Sequence, residues 1–175
     1  MDCIQYYDSP LGRIMMAGNG EALTGLWFAG QKYFAETLAT GYTEKEIPVL
    51  SDAKRWLDLY FGGMIPDFTP PMAMRGSAFR RAVWEILLTI PYGRTVTYGW
   101  IAERIAGRTG TARVSARAVG GAVSHNPVSM IIPCHRVVGA DGSMTGYAGG
   151  TDRKICLLRM ERAVAGNCIF QKNTL

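Results

Sequence analysis

The rhythm of hydrophobic and polar positions changes along the chain. Near the N-terminus, residues 4–7, 13–17 and 23–28 are short apolar-rich runs. They are separated by Asp8-Ser9-Pro10-Leu11-Gly12 and Gly18-Asn19-Gly20. Runs of this length between turn clusters predict three strands, the first two forming a hairpin. The spacing then turns helical near 32–39 and again over 52–61, where Trp56, Leu57, Tyr60 and Phe61 share one face. That aromatic stripe reads as core rather than as a cofactor site.

Residues 65–71, Ile-Pro-Asp-Phe-Thr-Pro-Pro, hold three prolines and cannot continue a helix. They predict a linker between a small α/β domain, 1–71, and a mainly helical domain, 72–175. In the second domain, Ser77 precedes an apolar row of Phe79, Val83 and Leu87 that stops before Pro91. Thr97 precedes Ile101, Ala102 and Ile105, with a stop expected at Gly107. After the polar loop Arg108-Thr109-Gly110-Thr111, Ser115 can cap a third helix running to Ser124. Two short helices about a turn have the outline of a helix-turn-helix.

The third helix presents Ala116-Arg117-Ala118-Val119-Gly120-Gly121-Ala122, nearly all small. Two glycines inside a helix cost roughly 1 kcal/mol each relative to alanine, so a close approach to another surface should offset them. That surface is either a neighbouring helix or a nucleic-acid groove.

The 175 residues are 48% hydrophobic and 19% charged, which excludes disorder as the main state. No stretch is apolar for the roughly 18 residues of a membrane span. The start, Met-Asp-Cys-Ile-Gln, lacks the basic and apolar regions of a secretion signal, so a cytoplasmic location is expected. Cys3, Cys134, Cys156 and Cys168 include no C-x-x-C pair, and only His125 and His135 are available beside them. Neither a zinc site nor a disulfide framework is expected, and nothing calls for a cofactor. Taken singly, Cys156 reads as core and Cys168 as exposed in a polar tail, while His125 reads as an exposed turn residue.

Charge divides unevenly. Residues 1–71 carry five basic and nine acidic side chains, a net of −4; residues 72–175 carry fourteen and five, a net of +9. Of the thirteen basic residues between 72 and 162, twelve are arginine. Arginine suits bidentate phosphate contacts and insertion among stacked bases. The second half therefore either meets a polyanion or is a solvated basic surface.

The segment Ile131-Ile132-Pro133-Cys134-His135-Arg136-Val137-Val138 places a thiol at the end of an apolar run, with an imidazole and a guanidinium following. A free thiol with a pKa of about 8.5 is only a few per cent thiolate at neutral pH, and a neighbouring cation or base can raise that fraction. In an extended segment His135 and Cys134 would point to opposite faces and communicate only through a water. From these residues alone, Cys134 is either a reactive thiol or an inert buried one. Arg136 reads as a partner for a carboxylate or helix end, or as an activator.

Pro133-Cys134-His135-Arg136-Val137-Val138 resembles the active-site signature of the O6-alkylguanine-DNA alkyltransferases. Arg117-Ala118-Val119-Gly120-Gly121-Ala122 and Asn126-Pro127 resemble that family's recognition helix and asparagine hinge. Gly146-Tyr147-Ala148-Gly149-Gly150 resembles its guanine-binding loop, and Leu157-Leu158-Arg159-Met160-Glu161 its closing helix. The motifs keep their order across about residues 77–165. The N-terminal part is compatible with a ribonuclease-H-like domain.

The resemblance implies single-turnover repair of double-stranded DNA bound through its minor groove: the damaged base is flipped out of the stack and its O6-alkyl group passes irreversibly to Cys134. It implies that His135 relays a proton from Cys134, that Glu161 orients His135, and that Tyr98 protonates or polarises the base. Asn126 would tie the recognition helix to the active-site segment. Arg117 would fill the space left by the flipped base, and Ala118, Gly120, Gly121 and Ala122 would let the helix into the groove. The Cys134 and Val137 carbonyls would accept from the guanine amino group, Ala148 N–H would donate to O6, and Tyr147 would pack on the base, with Gly149 lining the same pocket. The protein is expected to act as a monomer.

Some positions depart from the family pattern. The 108–114 loop is longer than in compact relatives, Met160 stands where many bacterial relatives carry histidine, and Ala148 replaces a serine. Cys3 alone does not rebuild the zinc site of some first domains. Three other functions fit these residues less well. A lesion-binding relative would lack the acceptor cysteine. A sequence-reading regulator would need polar side chains where Ala-Gly-Gly-Ala stands. A cysteine hydrolase would need an oxyanion hole, for which the sequence offers no evidence.

Overall fold

The computed structural model describes residues 1–144, 146–166 and 168. The early apolar runs form a meander. β1 (Cys3–Ser9) and β2 (Gly12–Gly18) pair antiparallel from Cys3↔Gly18 to Ser9↔Gly12. Ser9 closes their turn, its hydroxyl accepting from Leu11 N–H at 3.1 Å and donating to the Gly12 carbonyl at 2.6 Å. β3 (Leu23–Phe28) pairs antiparallel with β2, and the short β4 (Thr43–Glu44) runs parallel to β1, giving the order β3-β2-β1-β4.

α1 (Pro48–Phe61) packs on this sheet and buries Trp56, Leu57 and Tyr60, so the aromatic stripe is core. It begins earlier than its spacing predicts because Pro48 occupies the first turn, where a fixed φ and a missing N–H cost nothing. Gly18 marks the close approach: a Cβ there would lie 2.8 Å from Val49 Cγ1.

The helix expected over 32–39 does not form. Tyr33 and Ala35 adopt left-handed backbone angles (φ 56° and 55°), which interrupt any right-handed helix. The segment is a chain of turns, and its apolar spacing serves instead to bring Ala35 and Leu38 against the cluster of Ile4, Met15, Ala17 and Trp27.

The chain divides into two compact units: Met1–Arg75 with Pro127–Ile131, and Gly76–Asn126 with Ile132–Leu175. In the first, β3 receives two further stretches, at Leu23↔Met72 and Leu26↔Val128. The buried Asp2 carboxylate accepts both terminal nitrogens of Arg75, at 2.6 and 2.8 Å, and Ala39 N–H at 3.0 Å.

The second unit contains α2 (Ala78–Leu87), α3 (Tyr98–Thr109), α4 (Ala116–Ser124) and α5 (Thr151–Met160). Three of these helices start at the hydroxyls that the sequence suggests: Ser77 accepts from Arg80 N–H, Thr97 from Trp100 N–H and Ser115 from Ala118 N–H. α3 runs through Gly107, the expected stop, and ends at Gly110, whose φ of 67° supplies the left-handed C-terminal turn. α2, α3 and α4 pack on one another around Val83, Trp84, Leu87, Ile101, Ile105, Val119 and Val123. The Trp84 indole N–H donates to the Ala122 carbonyl at 2.8 Å. β5 (Val96–Thr97) and β6 (Val137–Val138) form a short parallel ladder beside this core.

Cys156 is buried on α5, as expected, but Cys168 is not exposed. It is 2% accessible and disulfide-bonded to Cys156, because the chain turns back after α5. His125 is half-buried at the end of α4 rather than exposed. Among the described residues, no helix is long and apolar enough to cross a membrane.

Candidate active site

Cys134, His135 and Arg136 form a single 3-10 turn after Pro133, not the extended segment that the sequence suggests. A tight turn does not alternate side chains between two faces, so neighbouring residues can serve one site. All three are buried: Cys134 is 3% accessible, His135 0% and Arg136 8%. Cys134 is a free thiol. Asn126, just beyond α4, donates from Nδ2 to Cys134 Sγ at 3.0 Å and to the Ile132 carbonyl at 2.8 Å.

Glu161, at the end of α5, is the hub of the site. Its Oε1 lies 2.7 Å from His135 Nε2 and accepts from Arg136 Nη2 at 3.0 Å. Its Oε2 accepts from Arg136 Nε at 2.9 Å and from Gly93 N–H at 3.3 Å. Burial alone would raise this carboxyl, but the His135 and Arg136 contacts outweigh burial and hold it well below the usual carboxylate range. Burial pushes the His135 imidazole down; Glu161 opposes the shift, and the Arg136 and Lys154 charges add to it. The other ring nitrogen, Nδ1, is buried with no hydrogen-bond partner among the described residues.

Burial pushes the Cys134 thiol up to about 11, although the Asn126 hydrogen bond and the Lys154 charge pull the other way. A protonated thiol beside a neutral imidazole is therefore the resting state, and any reaction at Sγ requires the thiol proton to leave. Lys154, fully buried on α5, donates from Nζ to the Val137 carbonyl. Burial brings its ammonium down to about 8, against the opposing pull of Cys134.

Two tyrosines flank the 146–150 loop. Tyr98, at the start of α3, lies against the glycines on either side: a Cβ at Gly146 would sit 3.0 Å from its hydroxyl, and one at Gly120 3.8 Å from its ring. Burial and the nearby Cys134 raise its phenol, leaving it a neutral donor. Tyr147 is buried, its hydroxyl has no partner among the described residues, and its ring presses on Gly149, where a Cβ would approach within 2.5 Å. Gly146 and Gly150 have φ of 88° and 93°, so the loop needs glycine for its backbone as well as for space. Ala148 is half-buried between them.

α4 turns Arg117, Ala118 and Gly121 outward, with Gly120 half-buried beside Tyr98. Among the described residues, nothing lies within 4 Å of a Cβ built at Gly121, so no neighbouring helix among them explains that glycine. Ala122, expected on the same face, is a correction: it is 3% accessible and faces the core beside Trp84.

Asn126, Cys134, His135, Glu161, Tyr98 and Tyr147 thus converge within the second unit. Lys154 and the Gly93 N–H were not singled out from sequence. A lone lysine among twelve arginines, on one helix face with Leu157 and Leu158, was the available signal. Among the described residues, no cluster of His, Cys, Asp and Glu could hold a metal ion.

Two family descriptions match the chain: 6-O-methylguanine DNA methyltransferase, ribonuclease-like domain, over residues 3–74, and its DNA binding domain, over residues 78–163. A methylated-DNA–protein-cysteine methyltransferase of Mycolicibacterium paratuberculosis is 47% identical over 155 residues, covering 89% of each chain. One from Methanosarcina acetivorans is 41% identical over 162 residues, covering 93% of this chain and 97% of the relative. The crystal structure of Mycobacterium tuberculosis OGT in complex with DNA superposes with a TM-score of 0.81 at 40% identity, covering 96% of this chain and 98% of that one. With its two domains and its buried cysteine site, the chain belongs to the 6-O-methylguanine DNA methyltransferase family.

Proposed function

We propose that this chain repairs DNA by taking the alkyl group from O6 of guanine onto its own Cys134, once per molecule. The reading rests most directly on one arrangement: a buried free thiol held by Asn126, beside an imidazole whose far nitrogen is engaged by Glu161 and whose near-chain nitrogen, Nδ1, is unpartnered.

Sγ attacks the alkyl carbon. The S–C bond forms as the C–O6 bond breaks, and the electron pair goes to the departing guanine. His135 Nδ1 takes up the thiol proton, directly or through one water, and Glu161 stabilises the imidazolium that forms. Tyr98 donates a proton to the base, so guanine leaves neutral; the proton held on His135 then replaces the one Tyr98 gave up, and in net terms the thiol proton ends on guanine. Since the product is a thioether, no step regenerates the thiol, and each protein acts once.

α3, the 110–115 loop and α4 serve as the helix-turn-helix that carries the protein onto duplex DNA. Arg117 enters the stack where the damaged base has left, offsetting an unstacking cost of a few kcal/mol. The outward face of Ala118 and Gly121, with Gly120 beside it, admits the minor groove. Tyr147, Ala148 and Gly149 receive the flipped base, and the Val137 carbonyl, already holding Lys154, has a second lone pair for the guanine amino group.

Nucleoside analysis of a duplex containing O6-methylguanine, after incubation with excess protein, tests this reading. Unmodified guanine should replace the lesion with the native chain and not with Cys134→Ser. Persistence of the lesion with the native chain, or its loss with the serine variant, contradicts the reading.

A further inference from the structure

We infer that Arg136 is a positioning residue: by gripping both oxygens of Glu161 it commits His135 to the tautomer with its proton on Nε2, leaving Nδ1 as the basic nitrogen. The inference rests on the reading that His135 takes the thiol proton, and deepens it.

The Glu161 carboxylate has four donors around it: His135 Nε2, Arg136 Nη2 and Nε, and the Gly93 N–H. An ionised carboxylate only accepts, and two guanidinium donors on adjacent edges oppose its protonation. The hydrogen on the 2.7 Å contact between His135 and Glu161 therefore belongs to Nε2. A neutral imidazole carries one proton, so Nδ1 is unprotonated.

The guanidinium is itself held in place. Arg136 Nη1 donates to the Ile90 carbonyl at 2.7 Å, and its carbon lies 5.7 Å from the Tyr92 ring centroid. Three of its nitrogens thus have assigned acceptors in one plane, a geometry that a lysine cannot reproduce. Because His135 and Arg136 are neighbours on one tight turn, both reach the same carboxylate. Arg136 has a second effect through its charge: with Lys154 it pushes His135 toward the neutral form. The charged and titratable groups facing this cluster are Cys134 and Arg136 on the turn, Lys154 on α5, Glu161 and Arg162 just after it, Tyr92 before β5, Tyr98 at the start of α3 and Tyr147 on the 146–150 loop.

Fork and charge separate experimentally. In Arg136→Lys the charge stays and the fork goes: the transfer rate constant at saturating lesion DNA should fall roughly 10- to 100-fold, as for a misplaced catalytic group, with the acid limb of the pH profile unmoved. In Arg136→Met the repelling cation is also lost, His135 protonates more readily, and the acid limb should move to higher pH. DNA affinity should hold in both. Wild-type rates and profiles in both variants would overturn the inference. Independently of any variant's folding, nitrogen NMR of the histidine-labelled native chain reads the tautomer. A protonated Nε2 and an unprotonated Nδ1 at neutral pH support the clamp, and the reverse pattern overturns it. Methyl found on a residue other than Cys134 would defeat the proposed function instead, and the NMR result would still decide the clamp.

Discussion

Asn126 Nδ2 donates to Cys134 Sγ at 3.0 Å, and the same nitrogen reaches the Ile132 carbonyl at 2.8 Å. One amide thus ties the chain just after α4 to the backbone and to the thiol of the turn at Cys134. Its hydrogen bond also lowers the Cys134 thiol, against the larger effect of burial.

Replacing Asn126 by Ala should therefore do two things. The fully buried Ile132 carbonyl loses one of its two donors, keeping the Cys134 N–H at 2.8 Å, so stability should fall by about 0.5–1.5 kcal/mol. The thiol loses a stabilising contact for its anion, so transfer slows. Urea unfolding and single-turnover transfer measure the two losses, and an unchanged transfer rate would count against the role of the amide.

Cys134 should react slowly with iodoacetamide at neutral pH, the rate climbing as pH approaches about 11. Lys154→Met removes a positive charge that pulls the thiol down, so below about pH 8, where the lysine is protonated, the variant should react more slowly than the native chain, and the two rates should converge at higher pH. In the native chain this help fades above about 8 as the lysine loses its proton. A fast neutral-pH reaction, or a lysine variant with the native profile, would contradict this electrostatic account.

Stability should fall on acidification from neutral pH. Glu161, His135 and Asp2 all hold their protons less tightly in the folded protein than in the unfolded chain. Unfolded histidine takes its proton near about 6.5 and the carboxylates near about 4. Below about pH 7 the unfolded state therefore binds more protons, and stability present at neutral pH is lost through that window and below. Melting temperatures between pH 8 and pH 4 check the sign; a flat profile would contradict it.

Gly121→Ala should separate stability from function. With open space at the Cβ and ordinary helical angles, alanine should stabilise the protein by about 1 kcal/mol. If this face enters a groove, the same methyl should weaken binding to lesion duplex. Stabilisation with unchanged affinity would remove α4's glycine from the DNA interface.

Much of this was legible in the sequence because local rules govern it. Ser77, Thr97 and Ser115 each cap the helix that follows, since a hydroxyl before an apolar row satisfies an orphan N–H whatever packs later. The order of motifs around Cys134 likewise identified the family. Long-range packing was not legible. Tyr33 and Ala35 leave the helical region although their spacing is helical, because the turns carry Ala35 and Leu38 to a sheet that local spacing does not reveal. Ala122 looks like its small neighbours until Trp84 is found bonded to its carbonyl. Cys168 reads as part of a polar tail until the chain turns back to Cys156. Lys154 reads as one more surface cation until burial and the Val137 carbonyl place it beside the thiol's turn.

The most direct test of the central claim is the mass of the protein itself. After incubation with excess O6-methylguanine duplex, the intact chain should gain a single methylene increment that peptide mapping places on Cys134, and Cys134→Ser should gain none. A methyl group on another residue, or more than one guanine restored per protein molecule, would contradict stoichiometric transfer to Cys134.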